Sequence, residues 1–181
     1  IVFNGEIYNY RKLKAELEKK GHVFKTNSDT EVVLHSFMEF KEKCVDHFNG
    51  FFAFCVYDKI NASFFIARDR FGIKPLYYSI NDEGLIFGSE LKALLQYPIE
   101  KKLDEKALNL YFRYNYIPAP HSILSSCKKL LPGQYISIKN HKISFHTYYS
   151  IKEQPLCEDN YLEAQKKIKQ LLLESVEKRM I

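Results

Sequence analysis

FFAFCVYDKINASFFIARDRFGIKPLYYSINDEGLIFG, residues 51–88, decides the fold. Residues 51–57 form an apolar run rich in aromatics, too short for a typical helix and suited to a buried strand. Asp58-Lys59-Ile60-Asn61 turns the chain into a second strand at 63–68. Residues 76–80 and 85–88 flank Asn81-Asp82-Glu83-Gly84, a hairpin signal. Hairpins imply antiparallel sheets, and unbroken apolar runs imply strands covered on both faces. Downstream, 134–138 and 143–148 form another hairpin around Asn140-His141. Upstream, 1–3 reads as the end of a buried strand, Asn4-Gly5-Glu6 as a turn that tolerates positive φ, and 23–25 as a short strand. Helices are expected at 10–20, stopped by Gly21, and at 30–43, 90–96, 105–114 and 160–181. Ser28 or Asp29 is the cap of the second, with Glu31 spaced to complete a capping box. Asp104 is the expected cap of the helix that starts at 105. Six or seven strands with interspersed helices point to an α+β layered sandwich.

The 181 residues suffice for one domain with a sizeable core. A hydrophobic share of 46% excludes a disordered chain. Net charge is +5, from 27 Lys plus Arg against 22 Asp plus Glu. The Lys pairs at 19–20, 101–102, 128–129 and 166–167 are scattered, which reads as solvated faces rather than a nucleic-acid tract. Cys44, Cys55, Cys127 and Cys157 show no CxxC spacing, so neither zinc nor a disulfide framework is expected. Cys44 and Cys55, set among Phe and Val, suit buried reduced thiols, and a reducing cytoplasm is the expected compartment. No run approaches the roughly 18 apolar residues of a membrane span, and there is no signal-peptide pattern. The strand-like start at Ile1 and the helical pattern running to Met180-Ile181 both read as cuts through a longer protein.

Three stretches carry chemistry. A strand leading into Asn4-Gly5 exposes a carboxamide and an unhindered backbone N–H, the two donors of an oxyanion hole, or else an ordinary turn. Asp29 opens a helix, either as a cap or as a carboxylate for a substrate ammonium. Residues 67–78 alternate charges, then Gly and Pro, then aromatics. This is an ordered loop in which Arg68 and Asp69 form structural pairs. Phosphate-loop, GxSxG and HExxH patterns are missing from the sequence, and the six histidines are isolated.

Taken together, NGEIYNY at 4–10, TNSDTEVVL at 26–34, FNGFFAFCVYD at 48–58, ARDRFGIKPLYY at 67–78 and FGSELKALL at 87–95 closely resemble glutamine-hydrolysing asparagine synthetase. YIPAPHSI at 116–123 and LLPGQY at 130–135 resemble its bacterial form. The resemblance implies an N-terminal-nucleophile αββα sandwich, truncated at its N-terminal side. It places the glutaminase domain at 1–155, and a linker with the first helix of a synthetase domain at 156–181. It also implies that glutamine is hydrolysed to glutamate and ammonia, and that the ammonia is channelled to aspartate activated by ATP and Mg2+. ATP and Mg2+ are expected to bind outside this chain.

By position, Asn4 and Gly5 resemble the oxyanion hole, Glu6 a main-chain contact to glutamine, and Asp29 the carboxylate that holds the glutamine α-ammonium. The reading requires Asn4 and Asp29 to face one common cavity. The family's nucleophile is an N-terminal cysteine whose own amine serves as base. None of the four cysteines here matches it, so the 181 residues alone are expected to be inactive, and to fold poorly by themselves. Partners implied are glutamine, aspartate in the synthetase half, and a second copy in a homodimer; neither nucleic acid nor membrane is implied. The alternatives are an amidotransferase of this kind acting on another carboxylate, or a degenerate glutamine-binding domain.

Overall fold

The structure is a computed structural model, described for residues 1–152 and 157–180. In chain order the elements are β1 (Val2–Ile7), α1 (Tyr10–Lys19), α2 (Asp29–Phe40), a 3-10 turn (Lys41–Lys43), α3 (Cys44–His47), β2 (Gly50–Asp58) and β3 (Ser63–Arg68). Next come β4 (Tyr77–Asn81), β5 (Gly84–Gly88), α4 (Leu91–Leu94), α5 (Glu105–Tyr114), β6 (Lys128–Lys129), β7 (Gln134–Lys139), β8 (Lys142–Thr147) and α6 (Tyr161–Glu177). The strands form two antiparallel sheets, in the order β1-β2-β3-β7-β8 and β5-β4-β6.

Three apolar clusters separate four layers. Ile7, Leu13, Leu17, Val33, Phe52 and Phe54 lie between α1, α2 and the five-stranded sheet. Ala53, Cys55, Ile66, Leu76, Leu130 and Ile136 fill the space between the two sheets. Leu94, Leu124 and Cys127 lie under α4 on the far side of the small sheet. Strand alternation produces this division: Phe52 and Phe54 turn to the helices while Ala53 and Cys55 turn to the other sheet. The expected αββα sandwich is therefore observed.

Four local expectations fail, each for a physical reason. Asn4-Gly5-Glu6 lies inside β1, where pairing with β2 over six residues overrides the turn propensity. Gly5 is required by close approach rather than by positive φ: a Cβ there would stand 2.2 Å from Phe51 O, and one at Gly50 would stand 2.1 Å from Glu6 O. Residues 23–25 form no strand; the Lys25 and Thr26 N–H groups donate instead to the Glu31 carboxylate, at 2.8 and 2.7 Å. That use of Glu31 prevents the capping box, and the Ser28 hydroxyl accepts from Thr30 N–H as a simple cap. An eighth strand, β6, is only two residues long and leaves no periodic signal.

Other boundaries agree with the sequence. Asp104 caps α5, accepting from Ala107 N–H at 3.0 Å. Asn140 and His141 both take positive φ at the β7–β8 turn. The expected domain boundary at 155/156 lies outside the described residues. Beyond it, a capping box of Asn160 and Glu163 starts α6. Its apolar side stays exposed, and the Arg179 guanidinium just past the helix stacks over the rings of Tyr8 and Phe51, at 4.9 and 5.0 Å.

Candidate functional site

β1 is the edge strand of the large sheet, and its register fixes what it offers. Tyr8 N–H donates to Asn49 O at 2.8 Å, and the same pairing sum runs through the β1–β2 register. Directly opposed residues alternate between bonded and non-bonded pairs in an antiparallel ladder. Glu6 and Asn4 therefore bond to Phe51 and Ala53, whereas Gly5 and Ile7 turn their N–H groups away from β2. Ile7 follows this rule: its N–H donates to Asp29 Oδ2 at 3.1 Å. The Gly5 N–H is the next outward donor, about 7 Å away along the strand.

Side chains alternate as well. Asn4 points to the space between the sheets, on the same face as its partner Ala53. There it lines a cavity of about 410 Å³ together with Val2, Cys55, Leu76, Ser89 and Tyr97. Asn4 Nδ2 donates to Ser89 Oγ at 3.0 Å. β1 thus carries, at adjacent residues, a carboxamide on its inter-sheet face and a backbone N–H on its open edge.

Asp29 does not line that cavity. It rises from the helix layer on the opposite face and reaches the same edge three residues further on, at Ile7. The expectation of one shared cavity is corrected to a shared strand edge. Asp29 is the first residue of α2 and not its cap, because Ser28 fills that role. Among the described residues its other oxygen, Oδ1, accepts no hydrogen bond.

Glu6 stands directly opposite Phe51. The register directs its N–H and C=O toward Phe51, so its main chain is committed to the ladder and only its exposed side chain is free for a ligand. The outward main-chain groups at this level belong to Gly5 and Ile7.

The loop after β3 supports the site from behind. Asp69, 1% exposed, accepts from the N–H groups of Phe52, Phe71, Ile73 and Lys74. Arg68, also buried, donates to the carbonyls of Gly72, Lys74 and Leu130, and burial lowers its pKa. The two are structural, as the sequence suggests, but they bind backbone rather than each other. Phe52, pinned by Asp69, stands opposite Gly5.

None of the buried thiols is set up as a nucleophile. Burial pushes the Cys55 thiol up to about 11 and raises Cys44 and Cys127 as well, so all three are protonated at neutral pH. Among the described residues all four cysteines are unpaired, and no group of three His, Cys, Asp or Glu side chains is arranged to hold a metal ion. No helix there is long and apolar enough to cross a membrane. Two features escape the sequence reading: the Asn4–Ser89 bond, which joins residues 85 apart, and the glycine at position 50. The Gly in FNGFF, opposite Ile7 and close to Glu6 O, is the one signal that points to the close approach.

The profile of the glutamine amidotransferase domain family matches residues 1–149. Asparagine synthetase (glutamine-hydrolyzing) 1 of Bacillus subtilis strain 168 is 40% identical over 157 residues, covering 86% of this chain and 25% of that protein. Asparagine synthetase (glutamine-hydrolyzing) 3 of the same organism is 34% identical over 183 residues, covering 100% of this chain and 30% of that protein. A putative asparagine synthetase (glutamine-hydrolyzing) 2 of Methanocaldococcus jannaschii is 41% identical and covers 82% of this chain and 29% of its own length. The chain thus spans between a quarter and a third of these relatives. Among solved structures, the glutamine phosphoribosylpyrophosphate amidotransferase of B. subtilis, complexed with ADP and GMP, superposes with a TM-score of 0.55 at 18% identity over 82% of this chain and 28% of that one. The allosteric regulatory enzyme of purine biosynthesis gives 0.57 at 19% identity, over 81% and 28%. These two likenesses show the fold alone. On the profile match over most of its length, the chain belongs to the glutamine amidotransferase domain family.

Proposed function

We propose that this chain supplies the substrate-gripping part of the glutaminase site in an asparagine synthetase. The observation that carries the reading is the edge strand β1, which bears the Asn4 carboxamide and an outward Gly5 N–H and takes the Asp29 carboxylate at Ile7. An extended glutamine places its ammonium and its amide carbon four bonds apart, about 5 Å at about 1.5 Å per bond. That span suits Asp29 at one end and the paired donors at the other. Asp29 Oδ1 receives the α-ammonium, and the ion pair selects free glutamine over a glutaminyl residue in a peptide. As the amide carbonyl is attacked, its oxygen gains charge, and Asn4 Nδ2 and Gly5 N–H donate to it.

Attack requires a thiolate with its own base. Cys44, Cys55 and Cys127 are buried, and the exposed Cys157 bonds to Asp159 just ahead of α6; on this reading the nucleophile is supplied from outside these 181 residues, and the chain alone hydrolyses no glutamine. The names of the relatives support aspartate as the acceptor of the released ammonia. ATP and Mg2+ would serve the activation of aspartate. On this reading both bind outside this chain, and no glutaminase step passes through them. On this reading residues 1–155 are the glutaminase domain and 156–181 lead into the synthetase domain.

Substitution Asp29→Ala in the protein as its gene encodes it tests the anchor. Loss of a charge-assisted contact of about 1.5–3 kcal/mol predicts a glutamine KM higher by roughly 10- to 100-fold. Asparagine formation driven by added ammonia survives. A glutamine KM equal to the parent's removes Asp29 from the site.

A further inference from the structure

We propose that Ser89 is a positioning residue for the Asn4 carboxamide; this deepens, and rests on, the reading of Asn4 as an oxyanion donor. Asn4 is exposed on an edge strand, where an unheld side chain samples several rotamers. Only one of them aims Nδ2 at the space beside the Gly5 N–H. The fraction of molecules in that rotamer multiplies directly into the rate of the step it stabilises.

Ser89 supplies the missing restraint. Its hydroxyl oxygen accepts one of the two Nδ2 hydrogens at 3.0 Å and leaves the other for the substrate oxygen. Ser89 is in turn held firmly. It follows Gly88, the last residue of β5, which pairs with Tyr77. A Cβ at Gly88 would stand 3.1 Å from Leu94 Cδ1, so α4 is packed closely against the end of the strand. Leu94 is 1% exposed in the outer core. The small sheet therefore carries the Ser89 hydroxyl on a rigid corner and orients a donor borne by the large sheet. Both residues line the same cavity between the sheets.

The experiment is a double-mutant cycle on glutamine hydrolysis by the gene-encoded protein, with kcat and KM measured separately. Ser89→Ala is expected to lower kcat about tenfold, the equivalent of about 1.4 kcal/mol, with KM changed by less than about twofold. Ser89→Cys, which nearly conserves volume but accepts weakly, is expected to lose a similar amount, and Ser89→Thr to recover most of it. In an Asn4→Ala background Ser89→Ala is expected to add nothing. A wild-type kcat in both Ser89→Ala and Ser89→Cys overturns the proposal. So does an undiminished loss in the Asn4→Ala background, which would mark a merely structural role. Failure of the underlying reading is distinct: Asn4→Ala by itself would then retain full glutaminase activity.

Discussion

Gly5 illustrates how a residue's local conformation can be misread from its neighbours. Asn-Gly is a turn dipeptide, and nothing local in the sequence contradicts that reading. The structure uses the missing side chain of Gly5 for the approach of β1 to β2, with Phe51 O where a Cβ would stand. The cause lies about 45 residues away, in the Phe51–Phe52 backbone of β2, and single-residue propensity carries no such information. Gly5→Ala is therefore expected to destabilise the fold by about 1–3 kcal/mol, as other overpacking substitutions do, seen as a lower urea midpoint at unchanged m-value. Gly21, at φ +91° with open space around it, is the control: Gly21→Ala meets no clash and incurs only backbone strain, about 1–2 kcal/mol. Equal stability of Gly5→Ala and the parent would contradict the close-approach account. Asp29 differs from Gly5, because its two readings, cap or anchor, could be separated only once Ser28 was seen to take the cap.

The start of α2 shows which local signals survive folding. Ser28 caps it as the sequence suggests, and Ser28→Ala is expected to lower the melting temperature by an amount matching about 1 kcal/mol. Glu31 departs from the sequence reading because three nearby donors, Lys25 N–H, Thr26 N–H and the Thr26 hydroxyl, outcompete the cap. The Lys25 N–H, first among these, helps pull its carboxyl from an ordinary 4.5 to about 2. A carboxyl lowered on folding stabilises the fold fully above 4.5, and that contribution disappears as pH falls from 4.5 toward 2. Amide protection factors at Lys25 and Thr26, which divide out the intrinsic pH dependence of exchange, are thus expected to fall over that interval, and Glu31→Gln to remove that fall. Protection factors that stay flat in the parent would contradict it. Hairpins and the α5 cap were legible because each depends on residues adjacent in sequence, such as Asp104 with Ala107. β6 was not, because two residues paired to Tyr77 and Tyr78 have no period of their own.

Across the whole molecule, the alternation of Phe52, Ala53, Phe54 and Cys55 assigns one side of β2 to the helices and the other to the second sheet. That alternation was hidden in the sequence, since both faces are apolar, yet two-sided burial is itself what the unbroken run predicts. Phe54→Ala, which opens the cluster shared by Phe48, Phe52 and Phe65, is expected to cost about 3–5 kcal/mol in chemical denaturation. The layered fold was legible; the placing of Asn4 and Asp29 on opposite faces of one edge strand, rather than in one cavity, was not, because it depends on which way alternate side chains and N–H groups of β1 point. The account centres on that edge as the place where an amide oxygen acquires negative charge. Steady-state glutamine hydrolysis by the gene-encoded protein bearing Asn4→Ala measures it most directly. The account predicts a kcat lower by about 100- to 1,000-fold with asparagine synthesis from ammonia intact. A kcat for glutamine equal to the parent's would contradict it.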